Sequence, residues 1–483
     1  MMSEPKRLHP ISAVASFVKQ LKEMVVPFVF LFVLNRGEKS GFLDYLPLLV
    51  MVAVPVFVLV SGIVKWLRFS YRLEEGELRI EYGLFVKKKR YIPIERIQSL
   101  NFSEGILHRP FGLVKVKVET AGSSNPRESE AELTAVSKEE AVELERLIYR
   151  EKKNASADRA EEQPEVERSA KAYFSLSAKD LWVLAATSGG IGVILSGVML
   201  FVSQFNEFIP YEAVYDELAV FVRSGVLIVA VAALAGLLFT WLLSILWTFV
   251  IYGDFQIKLV DSHIVMTRGL LEKKQVTVPL NRVQGIRVVE NPLRQLLGYC
   301  TVHIENAGGS VLEKDSTSIK LLPIVRKKRV AELLKGIFPD YVIEENYKRL
   351  PRRSLRRYVF RQSVSVLVLS GAACYFFWPY GSLALLLTVP FGMWGYMQYR
   401  TGGWRIDDGQ LSLQYRGFLK HTMYMKKNRI QSMDGNESWF QSRKGLATLT
   451  TTVKSGETGH ASGLKDLEKE DLRRIASWFS HRA

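Results

Sequence analysis

Long uncharged apolar stretches interrupt this chain in pairs. Residues 45–64, 181–203, 224–252 and 362–399 contain no Asp, Glu, Lys or Arg. About 20 apolar residues match the hydrocarbon thickness of a bilayer, so these stretches predict membrane-spanning helices. They group as 18–34 with 45–64, 181–203 with 224–247, and 362–377 with 382–399, the last pair turning at Trp378-Pro379-Tyr380-Gly381. The pattern predicts six spans and excludes a purely soluble enzyme. The first span is the weakest, with Lys19, Lys22 and Glu23 at its inner end. Either those side chains snorkel to the interface, or residues 11–21 form an amphipathic lead-in along the surface.

A different pattern comes after each pair. Period-two alternation around a tight turn recurs as YRLEEGELRIEYG (71–83), FQIKLVDSHIVMTRG (255–269) and WRIDDGQLSLQYRG (404–417), and predicts three hairpins. Next comes an Arg-aliphatic-Gln triplet: Arg96-Ile97-Gln98, Arg282-Val283-Gln284 and Arg429-Ile430-Gln431. Six residues after each Gln stands a glutamate, Glu104, Glu290 or Glu437, and eight residues further a glycine, Gly112, Gly298 or Gly445. Amphipathic helices over 138–150, 326–338 and 467–479 close the units, the first opened by a Ser137/Glu140 capping box. Offsets kept three times identify an internal repeat. Each unit reads as a curved antiparallel sheet or partly open barrel plugged by a terminal helix. Polar residues 151–172 read as a solvated linker.

Paired spans followed by this G…R-(I/V)-Q…E…G pattern resemble the bacterial membrane-anchored PH-like domain family, in its long, three-unit form. The resemblance covers nearly the whole chain and implies a PH-like β-fold in each polar unit and a bacterial plasma-membrane location. It implies no enzymatic activity. The third unit departs slightly: Gly417 precedes Arg429 by 12 residues, against 13 for Gly83–Arg96 and Gly269–Arg282. The expected organisation is a lead-in and first pair (1–65), module one (66–150), linker (151–180), second pair (181–251), module two (252–347), basic segment (348–361), third pair (362–399) and module three (400–483).

Charge supplies the orientation. The net charge is +16, with 65 Lys and Arg against 49 Asp and Glu. Segments 252–361 and 400–483 carry +10 and +6, whereas loop 204–218 holds four carboxylates and no Lys or Arg. Loop Lys and Arg mark the cytoplasmic side, so both termini and all three modules are expected there. Arg36 and Lys39, in the first outer loop, are the contrary residues.

Catalytic, cofactor and metal sites find no support. Seven scattered histidines make no H-E-x-x-H, and the two cysteines, Cys300 and Cys374, make no C-x-x-C. Gly189-Gly190-Ile191-Gly192 lies in a span without a following Lys-Ser, which suits helix packing rather than phosphate. The repeated Arg96/Gln98, Arg282/Gln284 and Arg429/Gln431 pairs are candidates for a polar ligand or headgroup site. The preferred reading is structural, each Arg clamping a carboxylate or loop carbonyls within its module, with Glu104, Glu290 and Glu437 as candidate partners, since recurrence in every unit is what fold maintenance produces. Lys87, Lys88 and Lys89, with Lys273-Lys274 and Lys426-Lys427 in the corresponding stretches, suit either anionic lipid or a solvated strand edge. Arg352, Arg353, Arg356 and Arg357, just before a span, are expected to meet anionic headgroups.

The expected function is a non-enzymatic scaffold or sensing component at the cytoplasmic leaflet, in protection of the envelope against membrane-active agents. Its expected partners are anionic lipid and a shorter related membrane subunit or a second copy, with no nucleic acid. The alternative is a component of a peptide or lipid exporter, against which the charge-free span interiors weigh.

Overall fold

A computed structural model describes residues 5–34, 46–120, 131–156, 172–188, 226–260, 262–307, 318–378, 380–456 and 459–480. The outer-loop residues Arg36 and Lys39, the acidic loop 204–218, glycines 189–192 and most of the linker lie outside the described residues.

The first repeat begins with helices α1 (Ile11–Leu34) and α2 (Leu46–Arg68). Strands β1 (Ser70–Glu74), β2 (Glu77–Tyr82) and β3 (Lys88–Pro93) come next, then β4 (Ile97–Glu104), β5 (Leu113–Thr120), β6 (Ala131–Ser137) and helix α3 (Lys138–Ser156). The second repeat adds β7 (Ala172–Ser175), α4 (Ala178–Thr187), α5 (Val226–Tyr252), β8 (Gln256–Val260), β9 (His263–Arg268) and β10 (Lys273–Pro279). It continues through β11 (Val283–Glu290), the short α6 (Pro292–Leu296), β12 (Tyr299–Asn306), β13 (Ser318–Arg326) and α7 (Lys327–Ile337). The third comprises β14 (Lys348–Arg349), α8 (Arg352–Phe376), a 3-10 segment (Tyr380–Leu387), α9 (Thr388–Thr401), β15 (Gly403–Asp407), β16 (Gln410–Arg416) and β17 (Lys420–Lys426). It ends with β18 (Ile430–Asn436), the one-turn α10 (Trp439–Ser442), β19 (Leu446–Val453), β20 (His460–Glu468) and α11 (Lys469–Ser480).

Among the described residues three helices are long and apolar enough to cross a membrane, within Leu49–Arg68, Leu234–Tyr252 and Arg352–Phe376. The expected hairpins form. Glu74 pairs with Glu77 around Glu75 and Gly76, whose φ values of 53° and 73° are those of a turn that matches the strand twist. Gly112, Gly298 and Gly445 all adopt left-handed backbone, φ 62°, 72° and 61°, as the chain leaves a short helical turn and enters the next strand. That conformation explains why glycine recurs there. Ser137 Oγ accepts from the Glu140 N–H at 3.2 Å, capping α3.

The barrels expected from sequence are not closed. Each module is two three-stranded halves, and halves of successive repeats share sheets. One seven-stranded sheet runs β6-β5-β4-β10-β9-β8-β7 and another β13-β12-β11-β17-β16-β15-β14, leaving β1-β2-β3 and β18-β19-β20 as separate three-stranded sheets. The chain accordingly divides into two compact units, one of Met1–Ser175 with Val250–Pro279, the other of Leu176–Phe249 with Leu280–Ala483. The division falls inside the second repeat.

In the first unit, alternation along β5 turns Val114, Val116 and Val118 inward to meet Leu78, Ile80, Leu133 and, from α3, Leu144 and Ile148. Burying one such aliphatic side chain stabilises by roughly 1.5–3 kcal/mol. The N-terminal segment joins this core through buried Leu8, whose carbonyl accepts from Trp66 Nε1 at 2.7 Å. In the second unit the equivalent core gathers Leu411, Leu413, Met423, Met425, Leu449, Leu467 and Ile475.

Candidate functional site

The repeated triplet has one structure in all three units. Its arginine ends a 3-10 turn, Ile94–Arg96, Leu280–Arg282 or Lys427–Arg429. Its aliphatic residue is buried and opens the next strand. Its glutamine falls at a register shift, between Ile97 and Ser99, Val283 and Gly285, or Ile430 and Ser432. Gln98, Gln284 and Gln431 are therefore the extra residues of three equivalent β-bulges, which bend the strand and re-aim the side chains beyond the bulge.

The glutamates that follow the triplets pair with lysines. Arg96 is exposed and Arg282 and Arg429 are half-buried. Glu104 pairs with Lys138 at 2.9 Å and Glu437 with Lys469 at 2.9 Å, in each case the first residue of the closing helix. Glu290, buried, pairs instead with buried Lys420 at 2.8 Å. The carboxylate and arginine stand at opposite ends of one extended strand, too far apart to meet. Lys87 and Lys89 both reach Glu81, at 2.5 and 3.4 Å, and Lys88 is exposed on the edge strand β3.

The basic segment forms the first turns of α8 and splits by helical phase. Arg353, Arg357 and Arg361, spaced by four, face module three. Arg353 pairs with Glu468 at 3.0 Å, and Arg357 and Arg361 both meet Asp466, at 2.8 and 2.5 Å. Asp466 is fully buried and also accepts from Gln441 Nε2 at 3.0 Å. Arg352 and Arg356 are exposed on the other face. Arg353 and Arg357, two of the four arginines expected at anionic headgroups, also hold helix to module.

A site that no sequence pattern announced lies where α9 enters module three. A cleft of about 390 Å³ is lined by Gln295 of α6, Arg349 of β14, Tyr396, Met397, Arg400 and Thr401 of α9, Gln414 and Arg416 of β16, and Lys420 of β17. Four of these are cationic, and among the described residues only Lys420 of the four forms an ion pair, with Glu290 outside the lining. Arg416 is 7% exposed. Its Nε donates to Thr401 Oγ1 at 3.1 Å and its Nη2 to Gln295, yet its Nη1 is buried without a partner. Burial pushes its pKa down, and Trp394 lies 5.9 Å beneath the guanidinium. A buried cation with an open donor, beside exposed Arg349 and Arg400, can receive an oxyanion through charge-assisted hydrogen bonds. Five elements build this cleft, so its residues share no local motif. Among the described residues no metal-ligand cluster of His, Cys, Asp and Glu side chains occurs.

The chain matches the bacterial PH domain three times, at residues 24–152, 184–337 and 364–483. Over 493 aligned residues it is 37% identical to the UPF0699 transmembrane protein YdbT of Bacillus subtilis (strain 168), covering 100% of this chain and 99% of that protein.

Proposed function

Because the chain belongs to the bacterial PH-domain family and is related end to end to a transmembrane protein, we propose that it is a non-enzymatic multipass scaffold of the bacterial plasma membrane that reads anionic lipid headgroups. Six spans place both termini and all three modules on the cytoplasmic side. Support for the orientation comes from the basic inner segments and the acidic 204–218 loop. In a variant lacking Cys300 and Cys374, single cysteines at Ser40 and Asn206 label with an impermeant reagent in intact cells. A cysteine at Ser310 labels only after permeabilisation; labelling there in intact cells overturns the topology.

The observation that carries the headgroup reading is the buried, unpartnered Nη1 of Arg416 in a cationic cleft at the foot of a membrane helix pair. A phosphate oxygen satisfies that donor, and Arg349 and Arg400 hold the remaining charge. Cationic membrane-active agents compete for the same headgroups, which gives a scaffold of this kind a role in envelope protection.

Full-length protein in neutral nanodiscs is titrated with dihexanoyl phosphatidylglycerol and, separately, with inorganic phosphate. Arg416→Gln weakens lipid binding about tenfold or more, the loss expected of one charged hydrogen bond. Arg400→Gln, at an exposed position, weakens it less and leaves the fold intact, while Arg474→Gln, on the exposed face of α11, has no effect. Unchanged binding in both cleft variants refutes the site. Binding of phosphate as tight as that of the lipid refutes the headgroup as the ligand.

A further inference from the structure

The chain joins module halves edge to edge twice, and both joints use one register. Lys273 of β10 stands opposite Glu104 of β4, and Lys420 of β17 opposite Glu290 of β11. Each lysine lies nine residues before its triplet arginine, Arg282 or Arg429, and each glutamate six residues after its triplet glutamine, Gln98 or Gln284. One half of a third such joint is β3 and the other is β18. Among the described residues β3 pairs only with β2, and β18 only with β19. Lys87 precedes Arg96 by nine residues and Glu437 comes six after Gln431, so the same lysine and glutamate recur at the open edges, where they pair with Glu81 and Lys469 of their own modules.

Exposure separates the joined edges from the open ones. Every residue of β11 except Arg287 is buried, and Thr422, Met423, Tyr424 and Met425 of β17 are buried. By contrast Lys88, Lys89, Arg90 and Tyr91 of β3 are exposed, as are Gln431, Ser432, Asp434, Gly435 and Asn436 of β18. An open strand edge is a template for another strand. Continuing the established register sets Lys87 opposite Glu437, Lys88 opposite Asn436, Arg90 opposite Asp434 and Tyr91 opposite Met433. Basic side chains of one edge then meet acidic side chains of the other, and opposite-charge cross-strand pairs favour pairing.

We infer that β18 of one copy pairs antiparallel with β3 of a second copy, completing between molecules the joint that the chain makes twice within itself. The contact is heterologous, two different edges meeting head to tail, so each copy keeps one edge for the next.

The test uses full-length protein in membranes, lacking Cys300 and Cys374. Lys88→Cys and Asn436→Cys are made singly and together, both at exposed positions that the fold tolerates. Mixed single variants, co-expressed and oxidised, give a disulfide-linked dimer; each single variant alone does not. The double variant gives a ladder of dimers and larger species. Asp434→Lys reduces the mixed dimer severalfold, and adding Arg90→Asp restores it. No mixed dimer, a double variant that crosslinks only within one chain, or a crosslink from Lys88→Cys to a different protein without the mixed dimer each overturns the inference.

Discussion

Asp466→Asn destabilises module three by about 3 kcal/mol, because it removes a fully buried charge that two arginines share. Asparagine is the informative substitution. Asp466 has φ 55°, a left-handed conformation that asparagine tolerates and alanine does not, so backbone strain stays constant and only charge changes. Arg357 and Arg361 are partly solvated, which places the cost at the low end of the range for a broken buried pair. The loss extends to the membrane helix, since the same arginines tie α8 to β20. Thermal unfolding of the full-length protein in detergent, with limited proteolysis of residues 400–483, measures it. Glu468→Gln is the control: its partner Arg353 is half exposed, and the change costs at most about 1 kcal/mol. An Asp466→Asn protein as stable as the wild type removes the clamp from the account.

Acid weakens the second compact unit between about pH 6.5 and pH 4. His303, His421 and His460 gather around Arg287, which is paired with fully buried Glu305 at 2.9 Å. Burial first, then the Arg287 charge and a neighbouring imidazole, push His421 down to about 4. Burial also lowers His303 well below its usual range and lowers His460, against which the Glu305 charge acts. An unfolded histidine titrates near 6.5, so through this window the unfolded chain binds protons that the folded chain refuses. Stability is complete above about pH 6.5, falls as pH drops, and levels off below the folded value. For His421 alone the full loss is about 3 kcal/mol, and the other two shift in the same direction. Unfolding monitored from pH 7.5 to pH 4.5 shows the decline, and His421→Gln flattens it. A pH-independent transition over that range contradicts the arrangement.

Local pattern made much of this fold legible, up to a definite physical boundary. Period-two alternation with Glu-Gly and Asp-Gly turns located the hairpins, and fixed offsets located the repeat, since both are properties of adjacent residues. The recurrent glutamines were visible as a motif, but their place in a bulge depends on which residues of the next strand they face. Likewise the four-residue spacing of Arg353, Arg357 and Arg361 was legible in KRLPRRSLRRYVFR, while their partners Asp466 and Glu468 lie about a hundred residues away. The pairing of β4 with β10 and of β11 with β17 is non-local in the same sense. One signal did point to it: a lysine nine residues before and a glutamate six residues after every triplet, which fall opposite one another at both joints. The glycine after the hairpin meets a different local demand in the third unit. A Cβ on Gly83 or Gly269 would strike a carbonyl oxygen at 2.0 or 2.1 Å, whereas Gly417 stands in open space.

Sheets shared between successive repeats impose an order on biosynthesis. Strand β4 leaves the ribosome with its outer edge bare, and the strand that covers it, β10, is made only after α3, α4 and the long apolar helix α5. At roughly 5–20 residues per second the interval between Glu104 and Lys273 lasts roughly ten to thirty seconds. During it the long apolar helix α5 is synthesised while the sheet stands half finished. The same delay recurs between β11 and β17. The nascent chain therefore matures as a relay, each long apolar helix preceding the strand that finishes the sheet begun before it.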